Sequence, residues 1–566
     1  MASGINSMKS VICFSAVLAL LLSVLCPIRL RSQVVGGTIS GRITDVSGAA
    51  IPNAKVSLKN IATGVATTIA TNPQGIYNAP NLLPGDYEAR ISAPGFQTAI
   101  QNGVTLTVGS QQALNFTMKV GTINETVVVT AVSPDLQLSS STISGVEDSK
   151  TIVELPLNGR SWTDLATLQP GVSTIRDIAP VSSTDRLGRG LGVELSISGG
   201  RPQQNNYLLN GISINDYTNQ APGSILGGNL GADAVAEFNV LTVNQPAEYG
   251  RTSGGVISAI NRSGTNHFHG SAYEFLRNSA LDARNFFDGP TIAPFRRNQF
   301  GASAGGPIQK DKTFIFGDYE GLRQSLGLSM VDTVPSVAAR NGQLVGGNVT
   351  VNAFVKPYLG FYPLPNGPVS GDVGIYSFAG SAITSENYFT TRVDHKISDQ
   401  DSLAGVYMFD NAPSTQNDEF NNKLLFARTR RQLVSLEENH VFRSSLMNSF
   451  RLGYHREFAA APSGSQAINP LAADVSLGYV PGDTVGFIGV PGLTFFTGGL
   501  STQAPAEYNW NSWQIYDSVF LTKGIHSLKF GANVERIEDN QSTPSQPGGD
   551  FEFNSLSDFL QNIPSL

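Results

Sequence analysis

From Asn266 onward the sequence keeps returning to one pattern, alternation with a period of two over stretches of about ten residues. Phe389, Thr391, Val393, His395 and Ile397 alternate with Thr390, Arg392, Asp394 and Lys396. Leu403, Gly405, Tyr407 and Phe409 form a returning stretch after the turn at 398–402. Leu446, Phe450, Leu452 and Tyr454 alternate with Arg451, Gly453 and His455. Trp513, Ile515, Val519 and Leu521, then Leu528, Phe530, Ala532 and Val534, make a pair around Lys523-Gly524. Successive strand side chains point to opposite faces, so each stretch predicts a strand with one apolar and one polar face. About 9–11 residues is also the length of a strand tilted across a bilayer. A soluble antiparallel sandwich alternates in the same way, and periodicity does not separate the two. After the first 26 residues no apolar run is long enough to cross a membrane as a helix. Membrane insertion of the rest would therefore require a closed barrel, in which every backbone group is paired.

Composition agrees with a strand-rich chain. Of 566 residues only 14% are charged, against roughly a quarter in soluble proteins, and 59 are glycine. The formal net charge is −7 and no basic stripe occurs, which excludes nucleic acid as a partner. Residues 1–32 read as a secretory signal: Lys9 supplies the positive start, Val11–Cys26 the apolar run, and Arg29, Arg31 and Ser32 its end. Leu25 precedes Cys26 where a lipoprotein signal would carry a small residue, so no lipid anchor is expected. Cys13 and Cys26 are the only cysteines, so removal of this segment leaves no disulfide.

Residues 35–119 read as a small β-sandwich of short alternating strands and regularly spaced turns. Asp45-Val46-Ser47-Gly48, Asn72-Pro73-Gln74-Gly75 and Leu83-Pro84-Gly85-Asp86 carry turn chemistry. The strings Gly41-Arg42-Ile43-Thr44-Asp45, Gly48-Ala49-Ala50-Ile51-Pro52-Asn53-Ala54, Leu83-Pro84-Gly85-Asp86-Tyr87 and Pro94-Gly95-Phe96 resemble a carboxypeptidase regulatory-like domain. That resemblance implies a transthyretin-like sandwich without peptidase activity. Its likeness in shape to starch-binding domains suggests carbohydrate binding by analogy of fold alone.

Residues 120–264 open with Glu125, Thr126, Val127, Val128, Val129, Thr130 and Ala131. This β-branched run resembles a TonB box, the short strand captured by a TonB-type periplasmic energy-coupling protein through β-augmentation. The same run equally suits a last strand of the sandwich. Beyond it, Leu155-Pro156-Leu157-Asn158-Gly159-Arg160 and Leu165 to Val172 resemble the opening of the plug domain of TonB-dependent transporters. Ile197 to Arg201 and Asn206 to Asp216 resemble its central hairpin, with Asn210 before Gly211 where the family has Asp; both tolerate positive φ. Ala247-Glu248-Tyr249-Gly250-Arg251, Ser253-Gly254-Gly255-Val256-Ile257 and 259–266 resemble the exit of the plug. The plug-motif residues are thus Asn158, Gly159, Arg160, Arg201, Asn210, Gly211, Asp216, Gly250, Gly254 and Gly255.

Residues 265–566 are expected to be an antiparallel transmembrane β-barrel in part. Asn298 to Ile308, Asp311 to Arg323 and Gly524 to Ala532 resemble barrel hairpins of the Oar-like subfamily. Roughly ten strand-like stretches fall short of the about 22 that close a plugged transporter, so the chain is expected to be a fragment or a truncated product. The predicted class is mainly β: sandwich, α+β plug, incomplete barrel.

Candidate chemistry is sparse. Gly301-Ala302-Ser303-Ala304-Gly305 fits a nucleophile-elbow spacing but lacks the strand–turn–helix frame. His267 and His269 place two imidazoles on one strand face without a third ligand at a recognisable spacing. Gly188 to Gly192 lacks the frame of a dinucleotide fingerprint. Glu437 and Glu438 read as lumen or loop charge. No enzyme, cofactor or metal site is expected. The resemblance implies a TonB-dependent receptor of the outer membrane. Its partners would be a TonB-type protein, outer-membrane lipid and an unidentified ligand, a carbohydrate or oligomeric nutrient among the candidates, with the N-terminal domain periplasmic. The competing expectation is a surface carbohydrate-binding or adhesion protein that transports nothing.

Overall fold

A computed structural model describes residues 36–121, 126–129, 142–155, 158–176, 191–283, 292, 294–501, 506–544 and 546–565. The expected signal at 1–32, and Glu125, Thr130 and Ala131 of the TonB-box-like run, lie outside them.

The first unit is a two-sheet sandwich. Its strands are β1 (Gly37–Asp45), β2 (Lys55–Asn60), β3 (Ala66–Ala70), β4 (Ile76–Leu82), β5 (Gly85–Ser92), β6 (Thr98–Leu106), β7 (Gln111–Ala113), β8 (Phe116–Met118) and β9 (Thr126–Val129). One sheet runs β4-β1-β7, with β8 also on β1, and the other β3-β2-β5-β6-β9. Alternate residues turn inward and bury Ile39, Ile43, Val56, Leu58, Tyr77, Ile91, Leu106 and Phe116 in one core. The expected turns form. The Asp45 carboxylate accepts from the amides of Ser47 at 2.8 Å and Ala49 at 3.0 Å, ahead of Gly48 at φ 85°. The Ser47 hydroxyl and these amides hold that carboxyl below its ordinary pKa. The Asn72 side chain does the same for Gln74 and Ile76.

The second unit contains β10 (Ile143–Asp148), β11 (Val172–Arg176), β12 (Glu194–Ile197), β13 (Asn206–Leu209), β14 (Ile212–Ser213), β15 (Val235–Val243) and β16 (Val256–Asn261). Its main sheet has the order β10-β15-β16-β13-β14. A short helix at Ser149–Glu154 is N-capped by Asp148, and a 3-10 turn at Trp162–Leu168 follows.

The third unit is one large antiparallel sheet. It comprises β17 (His269–Asn278), β18 (Phe295–Gln309), β19 (Thr313–Pro335), β20 (Val369–Ser370), β21 (Val373–Lys396), β22 (Asp401–Asn417), β23 (Lys423–Arg443) and β24 (Leu446–Ala467). After β25 (Phe487–Gly489), which pairs with β28 (Asp550–Glu552), come β26 (Glu507–Lys523) and β27 (His526–Ser542). Each long strand pairs with the next, and β20 pairs only with β21. The alternation read from the sequence is the alternation of faces. Phe389, Val393, Leu452, Trp513 and Ile515 point outward, whereas Thr390, Arg392, Arg451, His455 and Gln514 are buried inside. β17 and β27 are the two edges and do not pair, so the sheet is an open arc.

The two ends of the arc differ. Strands are joined at one end by short turns at 310–312, 397–400, 444–445 and 524–525, and at the other by 279–294, the turn 418–422 and the long connections 336–372 and 468–506. Short turns face the periplasm and long loops the outside in outer-membrane barrels. The long connections fold into a compact cap over Phe361, Tyr362, Phe420, Phe496 and Phe559. Arg340 ties the cap by donating to the carbonyls of Leu359 at 2.8 Å and Pro363 at 2.7 Å. Lys423 donates to Thr497 O at 3.0 Å.

Candidate functional site

The second unit sits inside the arc. They share one core, in which Trp162, Leu165, Tyr207, Leu209, Ile212, Phe238 and Val240 meet Phe316, Leu322, Tyr388, Leu433 and Tyr516 of the barrel strands. A second apolar cluster sets Leu191, Tyr217 and Ile225 against Ala412, Ala427, Ala459, Tyr508 and Trp510, and polar contacts lie beside both.

Arg160 joins the lumen unit to the barrel strands. The turn that presents it has Gly159 at φ 76° and Arg160 itself at φ 55°. Its guanidinium is buried, pairs with Asp233 of its own unit, and lies 3.4 Å from Glu320 on β19. It also covers the Tyr273 ring of β17, 4.2 Å from the centroid. Glu320 in turn accepts from the Gly231 amide at 2.8 Å and from Gln299 at 2.6 Å, and Gln299 also donates to Gly159 O. A plug-motif arginine and a barrel carboxylate thus share one buried network.

Asn210 and Gly211 make the expected hairpin between β13 and β14, with φ of 51° and 73°. The Asn210 side chain accepts from the Asn261 amide at 3.0 Å and donates back to the Asn261 side chain. Asp216 is buried in an Asx turn, accepting from the amides of Thr218 at 2.9 Å and Gln220 at 2.8 Å. Burial outweighs these bonds and pushes its pKa up to about 6. At Gly254 a Cβ would stand 2.5 Å from the Gln204 carbonyl, so only glycine fits there. The Gly255 amide donates to Asn205 Oδ1 at 3.1 Å. Arg201 and Gly250 are exposed. The side chain of Asn158 lies outside the described atoms.

Sequence reasoning missed the barrel half of this interface. Ser224 donates to Glu386 at 3.0 Å, and the Ile225 amide to Thr429 at 2.9 Å. Arg431 holds both Asp410 and Asn229. Gln514 pairs with both backbone groups of Ser213, accepting at 2.8 Å and donating at 2.9 Å. Ser263 donates to Asp394 at 2.6 Å, and Arg392 to Asn261 O at 2.9 Å. Arg251 meets Glu535 at 2.8 Å, and Lys529 meets Glu248 at 2.8 Å. The only signal for these groups was their inward position in alternating strands, which marks a face and not a partner.

The rejected motifs have structural roles. Gly301 to Gly305 lie wholly within β18, and the Ser303 hydroxyl is 2.8 Å from that of Ser271. His267 precedes β17, and its carbonyl is 3.0 Å from His269 Nδ1. Glu437 is the inward group, paired with Arg451 at 2.9 Å; Glu438 faces the other way. Among the described residues Asp401, Glu438 and His440 bring three potential ligand atoms within 4.8 Å of one another, and Asp401 and His440 are hydrogen-bonded at 2.6 Å.

Residues 260–566 match the family described as outer membrane beta barrel domain, over more than half the chain. The chain belongs to that family. It is an outer-membrane protein, and its open arc is a part of such a barrel. Residues 38–119 match the carboxypeptidase regulatory-like domain. The TonB-dependent transporter Oar of Myxococcus xanthus is 29% identical over 262 residues, which are 44% of this chain and 23% of that protein. The chain therefore spans under a quarter of this relative's length. Among solved structures, the outer membrane transporter YddB of Escherichia coli is 14% identical with a TM-score of 0.47, covering 73% of this chain and 50% of that one. The siderophore receptor PirA of Acinetobacter baumannii is 15% identical with a TM-score of 0.42, covering 70% and 48%.

Proposed function

We propose that this outer-membrane barrel chain works as a TonB-dependent receptor and transporter, with residues 120–264 as its plug domain and Glu125–Ala131 within them as its coupling strand. The observation that carries the reading is the seating of the second unit in the lumen. It is held there by the shared apolar core and by hydrogen bonds and ion pairs to β17–β19, β21, β23, β26 and β27. Each such bond contributes about 0.5–1.5 kcal/mol net, because water replaces it when it breaks. An interface of that kind can be opened by work done from the periplasm. The similarity to the transporter Oar supports the same reading.

An adhesion role through the sandwich has less to recommend it. The sandwich lies at the short-turn end, away from the long loops that face the outside. The ligand is met by the cap formed by those loops, and its class is a matter for uptake assays.

The test uses the intact gene. Gene disruption across single iron and carbon sources identifies the nutrient whose uptake is lost. Deletion of residues 125–131 is expected to abolish that uptake while binding of the same nutrient to whole cells persists. Uptake that continues without these residues, or that is indifferent to dissipation of the proton gradient, overturns the assignment.

A further inference from the structure

The sandwich is docked across the short-turn end of the barrel, and its contacts reach both edges of the arc. On the β27 side, Asn72 donates to Gly524 O at 2.8 Å and Asn78 to Ser527 Oγ at 2.9 Å. In the middle, Asn81 donates to Glu437 Oε1 at 2.8 Å, to Asn439 Oδ1 at 2.7 Å and to Ser449 Oγ at 3.3 Å. On the β17 side, the Asn266 backbone donates to Ala62 O at 2.9 Å and its side chain to Thr63 O at 2.6 Å. Against the lumen unit, the Val108 amide donates to Glu237 at 2.6 Å and Asn239 donates to Val108 O at 3.0 Å.

Asn81 is built for its place. It adopts φ 54°, a conformation asparagine tolerates better than most residues, and its Oδ1 accepts from the Gly36 amide at 3.0 Å. The amide group is thereby fixed with both hydrogens aimed at the barrel wall. A cavity of about 160 Å³ lies between the three units, bordered by Tyr87 and Asn81 of the sandwich, Asn210 and Ser263 of the lumen unit, and Arg392 and Glu437 of the wall. The sandwich borders that cavity on the short-turn side.

Two features make the sandwich movable. Its bonds to the barrel are amide to carbonyl, carboxylate or hydroxyl, which water can replace. Among the described residues, the buried apolar cluster it shares with the lumen unit is the pair Val108 and Ile260. In addition, β9 is a strand of the sandwich: it pairs in parallel with β6, from Thr98↔Thr126 to Gln101↔Val129.

We propose that the sandwich is a reversible periplasmic closure of the barrel mouth, with the coupling strand built into its sheet. On the transport reading given above, on which this last consequence rests, traction on β9 is transmitted through β6 and undocks the sandwich before it reaches the plug.

The closure is tested with the full-length protein in lipid vesicles, using a membrane-impermeant maleimide and a thiol at Ser435→Cys. Ser435 is buried on β23 and lines the cavity. Labelling is read at that site by mass spectrometry, which separates it from Cys13 and Cys26. The parent is expected to label slowly, and N72A/N78A/N81A at least ten times faster. A second variant, N78C/S527C, ties the sandwich down when oxidised and is expected to label no faster than the parent. Equal rates in the parent and the triple variant, or fast labelling of the oxidised tie, overturn the closure. Labelling requires neither ligand nor coupling protein, so the closure and the transport reading stand or fall separately.

Discussion

Arg160 has two carboxylates within reach, Asp233 and Glu320, and an aromatic face under its guanidinium. Removal of one charge from a buried network leaves the others uncompensated, which costs about 3–5 kcal/mol. Arg160→Met is therefore expected to destabilise the seated plug by that order, read as a lower denaturation midpoint in detergent. Neutralising the partners as well, in R160M/D233N/E320Q, is expected to recover most of the loss, because the carboxylates that faced Arg160 then carry no charge. A single variant as stable as the parent would show that this network does not hold the plug. Arg160 was legible in the sequence because its motif is local. Glu320 was not, because a glutamate at an inward position of a strand has the same sequence signature whether it meets water or an arginine.

At the scale of elements, the period-2 pattern gave the correct face for Phe389, Val393, Leu452 and Trp513 without any structure. The turns at Asp45–Gly48 and Asn72–Gly75 were equally readable, since their side-chain bonds are made within four residues. The strand lengths were not. β21 runs for 24 residues and β23 for 21, about twice the span of a membrane strand, because both continue into the loop cap. Nor did the run at 126–129 reveal its neighbour: a β-branched strand carries no mark of the edge it will join, and here it joins β6. The Asn210-Gly211 hairpin shows where local chemistry is decisive. Gly211 has φ 73°, and a side chain there costs on the order of 1–2 kcal/mol. Gly211→Ala is expected to lower stability by that amount, whereas Asn210→Gly keeps the turn and loses only the bonds to Asn261. Equal denaturation midpoints for Gly211→Ala and the parent would show that the hairpin is not under this constraint.

For the whole molecule, the joint between the sandwich and the lumen unit carries its own pH dependence. Glu237 accepts from the Val108 amide across this joint, yet burial dominates and pushes its pKa from 4.5 to about 7; the Val108 bond opposes the shift and nearby Asp148 adds to it. A raised carboxyl pKa means the folded state binds its proton more tightly than the unfolded chain does. The resulting stabilisation is fully present below about 4.5 and disappears as the pH rises through about 7. Glutamine keeps the oxygen acceptor but has no charge to bury, so E237Q serves as the reference at every pH. The parent is expected to lose stability relative to E237Q between about pH 4.5 and 7, with the difference constant above that window. Denaturation midpoints of the two proteins, measured in parallel from pH 4 to 9, decide the matter. A constant difference throughout would mean that Glu237 ionises as freely in the docked molecule as in the unfolded chain. A difference that changes only within the predicted window and then persists above it would make the sandwich–plug joint tighter in mild acid than at neutral pH, and would identify the carboxylate responsible.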